Sequence, residues 1–133
     1  MPYIYITEKA NEDMKKILIV DDEPNIVMSL EYTFKKNNFQ VFIARDGQEA
    51  LDIAQIEVPD LMILDVMMPM VDGFATLEQF KGDDKLKDCR VIFLSAKNKE
   101  KDIERGLALG ADRYMTKPFS VKKLVEEVNA LLE

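Results

Sequence analysis

Asp65 closes the apolar run Leu61, Met62, Ile63, Leu64 and is followed at once by Val66, Met67, Met68 and Pro69. An ionisable carboxylate therefore sits where a buried strand ends and the chain turns, the position at which open parallel sheets place their chemistry. A second acidic group has the same placement, because Ile17, Leu18, Ile19 and Val20 run straight into Asp21, Asp22 and Glu23 before Pro24 opens a helical stretch. If the two strands are adjacent and parallel, Asp21, Asp22 and Asp65 converge on one pocket. Three carboxylates there repel one another unless a cation sits among them, and a set of hard oxygen donors suits magnesium.

Positioning these groups requires a sheet. Ile17 to Val20, Leu61 to Leu64, Val91 to Leu94 and the shorter Phe39 to Ala44 read as buried strands, with Arg113 to Thr116 a weaker fifth. Their hydrophobicity is continuous rather than alternating, which predicts a sheet covered on both faces. The intervening stretches carry helix punctuation. Pro24 fits a first helical position, Asp46 with Glu49 forms a capping-box pattern, and Gly110 follows Leu109 as a stop. In the last helix Val121, Leu124, Val125, Val128, Leu131 and Leu132 make one apolar stripe, with Lys122, Lys123, Glu126, Glu127 and Asn129 opposite. The βα alternation repeats five times and predicts an α/β, doubly wound, three-layer sandwich with ligand chemistry at the carboxyl ends of its strands.

At 133 residues the chain reads as one domain over 14–133. Residues 1–13 form an N-terminal extension in which Tyr3 to Ile6 could add a short edge strand. Deleting 1–13 is expected to leave the metal affinity of the three-carboxylate pocket unchanged; a substantial loss would show that the extension docks on the domain. Eighteen basic residues against twenty-five acidic leave a net charge of -7, which argues against direct nucleic-acid binding or an anionic membrane as partner. No apolar run is long enough to cross a bilayer, so a cytoplasmic location is expected. A single cysteine, Cys89, and no histidine exclude a disulfide framework and the usual Cys/His zinc site. Met67, Met68 and Met70 read as core filler rather than a copper site, for want of a thiolate or histidine beside them.

Four separated motifs resemble the receiver domain of two-component response regulators, a likeness that covers 15–133. They are Ile-Val-Asp-Asp-Glu-Pro at 19–24, Leu-Asp-Val-Met-Met-Pro-Met-Val-Asp-Gly at 64–73, Leu-Ser-Ala-Lys at 94–97 and Gly-Ala-Asp-Arg-Tyr-Met-Thr-Lys-Pro-Phe at 110–119. The resemblance implies a flavodoxin-like five-stranded parallel sheet of order 2-1-3-4-5. It implies that Asp65 accepts a phosphoryl group from a sensor histidine kinase or phosphotransfer protein. The metal site would comprise Asp21, Asp22, Asp65 and the backbone carbonyl of Met67, holding Mg2+. Lys117 would pair with the phosphoryl oxygen, and a cis Lys117–Pro118 peptide would aim it. Ser95 and Tyr114 would form the switch pair, which reshapes the surface of the fourth helix, fifth strand and fifth helix.

Two other readings compete with this one. An interaction module that no longer cycles phosphate is disfavoured by the complete set Asp21, Asp22, Asp65, Ser95 and Lys117. An aspartyl-nucleophile phosphatase of the haloacid-dehalogenase kind wants an aspartate two residues after the nucleophile, where Met67 stands. No turnover of external phosphoesters is therefore expected. Asp22 alone could be a helix cap. Ile103, Arg113, Lys123 and Glu127 also depart from the charges that the resemblance implies for a shared dimer face on the fourth helix, fifth strand and fifth helix.

Overall fold

The computed structural model describes residues 14–68 and 72–133, which form five strands and five helices in strict alternation. They are β1 Lys16–Val20, α1 Pro24–Lys36, β2 Gln40–Ala44, α2 Gly47–Glu57, β3 Leu61–Leu64, α3 Gly73–Lys81, β4 Arg90–Ser95, α4 Glu100–Ala108, β5 Arg113–Thr116 and α5 Val121–Leu132. All four strand pairings are parallel and the order is β2-β1-β3-β4-β5. This is the flavodoxin-like order that the resemblance implies. The Tyr3 to Ile6 segment, Pro69 and Met70 lie outside the described residues.

The inner strands β1, β3 and β4 are buried on both faces because successive side chains enter different cores, whereas the edge strands β2 and β5 are largely half-buried. Ile17 and Ile19 of β1 join Leu30 and Phe34 of α1 and Leu124 and Val128 of α5 in one cluster. Leu18 and Val20 join Ala50 and Ala54 of α2 and Phe74, Leu77 and Phe80 of α3 in the other. Each fully buried aromatic or aliphatic side chain contributes roughly 1.5–3 kcal/mol of transfer free energy, so the two layers fix which way every strand faces. Only Leu124 and Val128 of the α5 stripe are fully buried, with Val125, Leu131 and Leu132 packed at their margin.

Local signals set the element ends. Pro24 occupies the first turn of α1, and Asp46, Asp72 and Ser120 each accept a bond from a backbone N–H three residues on. The Asp46 carboxylate takes the N–H of Glu49, which satisfies one of the orphan donors at the start of α2. Gly110 follows α4 at φ 111°, a conformation that glycine adopts without strain. Two acidic side chains secure strand entries: Asp60 accepts from the N–H of Lys16, and Asp112 from that of Val91. Met67 is a correction to the core reading, because it is 55 % exposed. The chain has already left the sheet there, whereas Met68 packs against the α2–α3 core.

Candidate functional site

Parallel register assembles the site. Val20 pairs with both Ala44 and Leu64, so the residues after β1 and β3 emerge side by side. The backbone N–H of Asp65 donates to Val20 O at 3.0 Å, and that of Asp21 to Ala44 O at 3.1 Å. On the other side of β3, β4 runs on to Ser95, which pairs with Thr116, and Lys117 N–H donates to Ser95 O at 2.9 Å. Asp21, Asp65, Ser95 and Lys117 thus arrive at one end of the sheet through the same hydrogen-bond ladder that holds it together.

Asp21, Asp22 and Asp65 each bring a carboxylate oxygen within 4.8 Å of the others, with Asp21 and Asp65 buried and Asp22 exposed. The Lys117 ammonium is 2.9 Å from Asp21 Oδ2, 2.9 Å from Glu23 Oε1 and 3.5 Å from Asp65 Oδ2. Its peptide to Pro118 is cis. Backbone donors complete the arrangement: Glu23 N–H reaches Asp21 Oδ1 at 2.9 Å, and Met67 N–H reaches Asp65 Oδ1 at 3.2 Å. Asp22 makes no cap, since the N-cap position of α1 is Glu23 and no side chain bonds there.

Burial pushes the Asp65 carboxyl above the usual aspartate range, and the neighbouring Asp21 adds to this. Lys117, the Met67 N–H and the Ser95 hydroxyl oppose the rise without cancelling it. Burial works against charge on Lys117 as well, but its bonds to Glu23 and Asp21 and the nearby Asp65 outweigh that cost. Its pKa is raised above the ordinary lysine value and it remains an ammonium. The donor set fits magnesium, because the cluster offers only hard oxygens and leaves an excess of negative charge after Lys117 is counted. Asp21, Asp22 and Asp65 could hold the ion, with the neighbouring Met67 carbonyl completing the resemblance's ligand set.

Ser95 is fully buried, and its Oγ accepts from Lys97 N–H at 3.2 Å. Tyr114 is half-buried. Its hydroxyl donates to Lys97 O at 2.7 Å and its ring lies 5.5 Å from that of Phe93, which in turn meets Phe74 of α3 edge-on at 5.4 Å. Burial raises the Tyr114 pKa. On α4, Gly106 makes this packing feasible, since a Cβ there would come within 2.9 Å of the Tyr114 ring and 3.0 Å of Phe93. The Arg105 guanidinium lies over the Phe74 ring, 4.3 Å from its centroid. Arg113 and Lys123, which the sequence singles out, both bond Glu127, at 2.7 Å and 3.2 Å.

Glu23 and Gly106 are the residues that sequence reasoning leaves without a role. Glu23 was visible as the third acid after β1, but its bond to a residue 94 positions away was not. The only cysteine, Cys89, is buried with its thiol pushed up to about 12 by burial, which makes it inert.

Comparison with known proteins places this geometry. A family model described as the response regulator receiver domain matches residues 17–129. The chain is 45 % identical over 118 residues to the alkaline phosphatase synthesis transcriptional regulatory protein PhoP of Bacillus subtilis. That match covers 89 % of this chain but 48 % of PhoP, so the chain spans about half the length of this relative. The signal receiver domain of a histidine kinase from Syntrophus aciditrophicus superposes with a TM-score of 0.82 at 36 % identity, covering 89 % of each chain. The chemotaxis protein CheY4 of Vibrio cholerae superposes with a TM-score of 0.83 at 30 % identity, over 89 % of this chain and 98 % of that one.

Proposed function

Because this chain belongs to the response regulator receiver domain family, we propose that it accepts a phosphoryl group on Asp65 from a histidine kinase or phosphotransfer protein and signals by a change in its α4–β5–α5 surface. The observation that carries this reading is the convergence of one buried, strand-end carboxylate with two further aspartates and a half-buried ammonium. A carboxylate can act as a covalent nucleophile toward phosphorus, and the main barrier is the meeting of two anions. Magnesium, when bound, neutralises charge between them.

The chain's own residues do the rest. Asp65 Oδ1 is held by the Met67 N–H, which leaves Oδ2 on the side of Lys117. Lys117 is near enough to transfer its bond to an incoming phosphoryl oxygen, and Ser95 presents a hydroxyl from the neighbouring strand end. When the Ser95 hydroxyl turns toward the phosphoryl group, the ring of Tyr114 can turn into the space it leaves and release Lys97 O. That would alter the β4–α4 loop and α4. The domain transfers phosphate to and from itself and turns over no small phosphoester.

Addition of beryllofluoride with magnesium tests this directly by amide spectra. The reading predicts shifts in the pocket and in α4, β5 and α5; shifts confined to the pocket would contradict the signalling surface. Among the described residues no helix is long and apolar enough to cross a membrane, and the reading places the chain in the cytoplasm, where a kinase's phosphohistidine is available.

The lifetime of the acyl phosphate follows from Met67. Hydrolysis needs a water held in line behind phosphorus, and the exposed thioether at this position is only a weak acceptor that cannot orient one. Slow self-dephosphorylation is expected. Met67→Asn should speed phosphoryl loss about tenfold, equivalent to ~1.4 kcal/mol of barrier. Decay in magnesium buffer checks this, and equal rates for the two proteins would refute the assignment of the slow decay to Met67.

A further inference from the structure

Glu23 stands outside the three-aspartate cluster yet holds the Lys117 ammonium as closely as Asp21 does, at 2.9 Å in each case. The environments differ: the Asp21 side chain is 5 % exposed and that of Glu23 is 55 % exposed. Both Asp21 oxygens are engaged, Oδ1 by the Glu23 N–H and Oδ2 by Lys117. A divalent cation settling on Asp21 therefore meets an ammonium on the same carboxylate, and two positive centres sharing one carboxylate repel strongly where water is excluded. Glu23 is not occupied with capping, since its side chain makes no bond to the first turn of α1. Among the described residues its side chain bonds only Lys117.

On the reading of the site as a magnesium and phosphoryl pocket, we infer that Glu23 is a positioning residue that gives Lys117 a second anchor, so that a cation can take Asp21 while the ammonium stays charged beside the pocket. Nζ already touches both carboxylates, so leaving Asp21 requires no journey. The exposure of Glu23 sets the order of release. Water can replace the ammonium there at little cost when Lys117 moves on to a phosphoryl oxygen, whereas the buried Asp21 cannot be left without a cation.

A rival explanation is that Glu23 only adds negative charge to the pocket, and a double-mutant cycle separates the two. Magnesium affinity is measured by calorimetric titration of the full chain as wild type, Glu23→Gln, Lys117→Met and the double variant. Glu23→Gln should weaken magnesium binding about tenfold in the wild-type background and less than about twofold in Lys117→Met, because no ammonium is left to compete. The same loss in both backgrounds, or no loss in either, overturns the inference while leaving the magnesium site intact. Absence of magnesium binding by the wild type would instead overturn the functional reading on which it rests. Should Lys117→Met not fold, the Lys117 Nζ resonance decides. It should keep an ion-paired signature in magnesium for the wild type and lose it in Glu23→Gln; a resonance indifferent to Glu23→Gln contradicts the anchor.

Discussion

Asp65→Asn is expected to abolish phosphoryl acceptance from acetyl phosphate and the response to beryllofluoride, while the chain stays folded and gains thermal stability in metal-free buffer. The loss follows because the amide that replaces the carboxylate is a poor nucleophile toward phosphorus. The gain follows from removing a carboxylate whose ionised form is disfavoured by burial and, to a lesser degree, by the neighbouring Asp21. The Asp65 pKa is raised on folding, chiefly by burial, so the unfolded chain releases this proton more readily than the folded one. The wild type therefore loses stability as pH rises from the usual aspartate value through the folded one. Asparagine removes that loss at the expense of the weak Lys117 contact at 3.5 Å. A rise in Tm of roughly 2–4 °C is expected for a domain of this size. Unchanged phosphorylation stoichiometry would refute the acceptor assignment, and a lower Tm in metal-free buffer would refute the penalty on the ionised carboxylate.

Gly73→Ala should have the largest effect on stability, because the start of α3 lies directly on the backbone of the acceptor. A Cβ at this position would stand 2.3 Å from Asp65 O, 2.8 Å from Val66 Cα and 2.9 Å from Asp65 C. None of these atoms can rotate away. The Asp65 peptide is held by Val20 O and the helix entry by the bond from Gly73 N–H to Val66 O at 3.0 Å, so either the acceptor or α3 must shift. A cost of about 3 kcal/mol is expected, equivalent to a fall in Tm of roughly 10 °C. Magnesium affinity should fall with it, because the Asp65 carboxylate moves with its backbone. Gly82→Ala is the control: its new methyl would meet nothing nearer than Glu78 O at 3.5 Å, and its Tm should barely change. Equal thermal shifts for the two variants would show that the close approach at Gly73 is not what the site depends on.

The order in which the sequence could be read reflects how local each determinant is. Strands β1, β3 and β4 are legible because a sheet covered on both faces demands uninterrupted apolar runs, and Asp21, Asp65 and Ser95 inherit their positions from those runs. Register did the rest, and register is not written in any one segment. It is the shared rung of Val20 with Leu64 that turns two strand-end aspartates into neighbours. Met67 was misread as core because its apolar side chain follows a buried strand without a break, whereas the backbone has already turned. Glu23 and Gly106 stayed hidden for a related reason: their roles depend on Lys117 and on Tyr114 and Phe93, which approach only once α1, α4 and β5 are docked. The intramolecular pairs of Arg113 and Lys123 with Glu127 likewise needed β5 and α5 side by side.

If Asp65 is the covalent acceptor, an acyl phosphate forms on its carboxylate and the surrounding groups act through that bond. Trapping the acyl phosphate with borohydride after incubation with acetyl phosphate and magnesium, then mapping the reduced residue by peptide mass, tests this most directly. The account predicts conversion of Asp65 to homoserine in magnesium, with no conversion when the metal is chelated and none at Asp21 or Asp22. Reduction at another aspartate, or an Asp65 untouched while the chain carries phosphate, would contradict it.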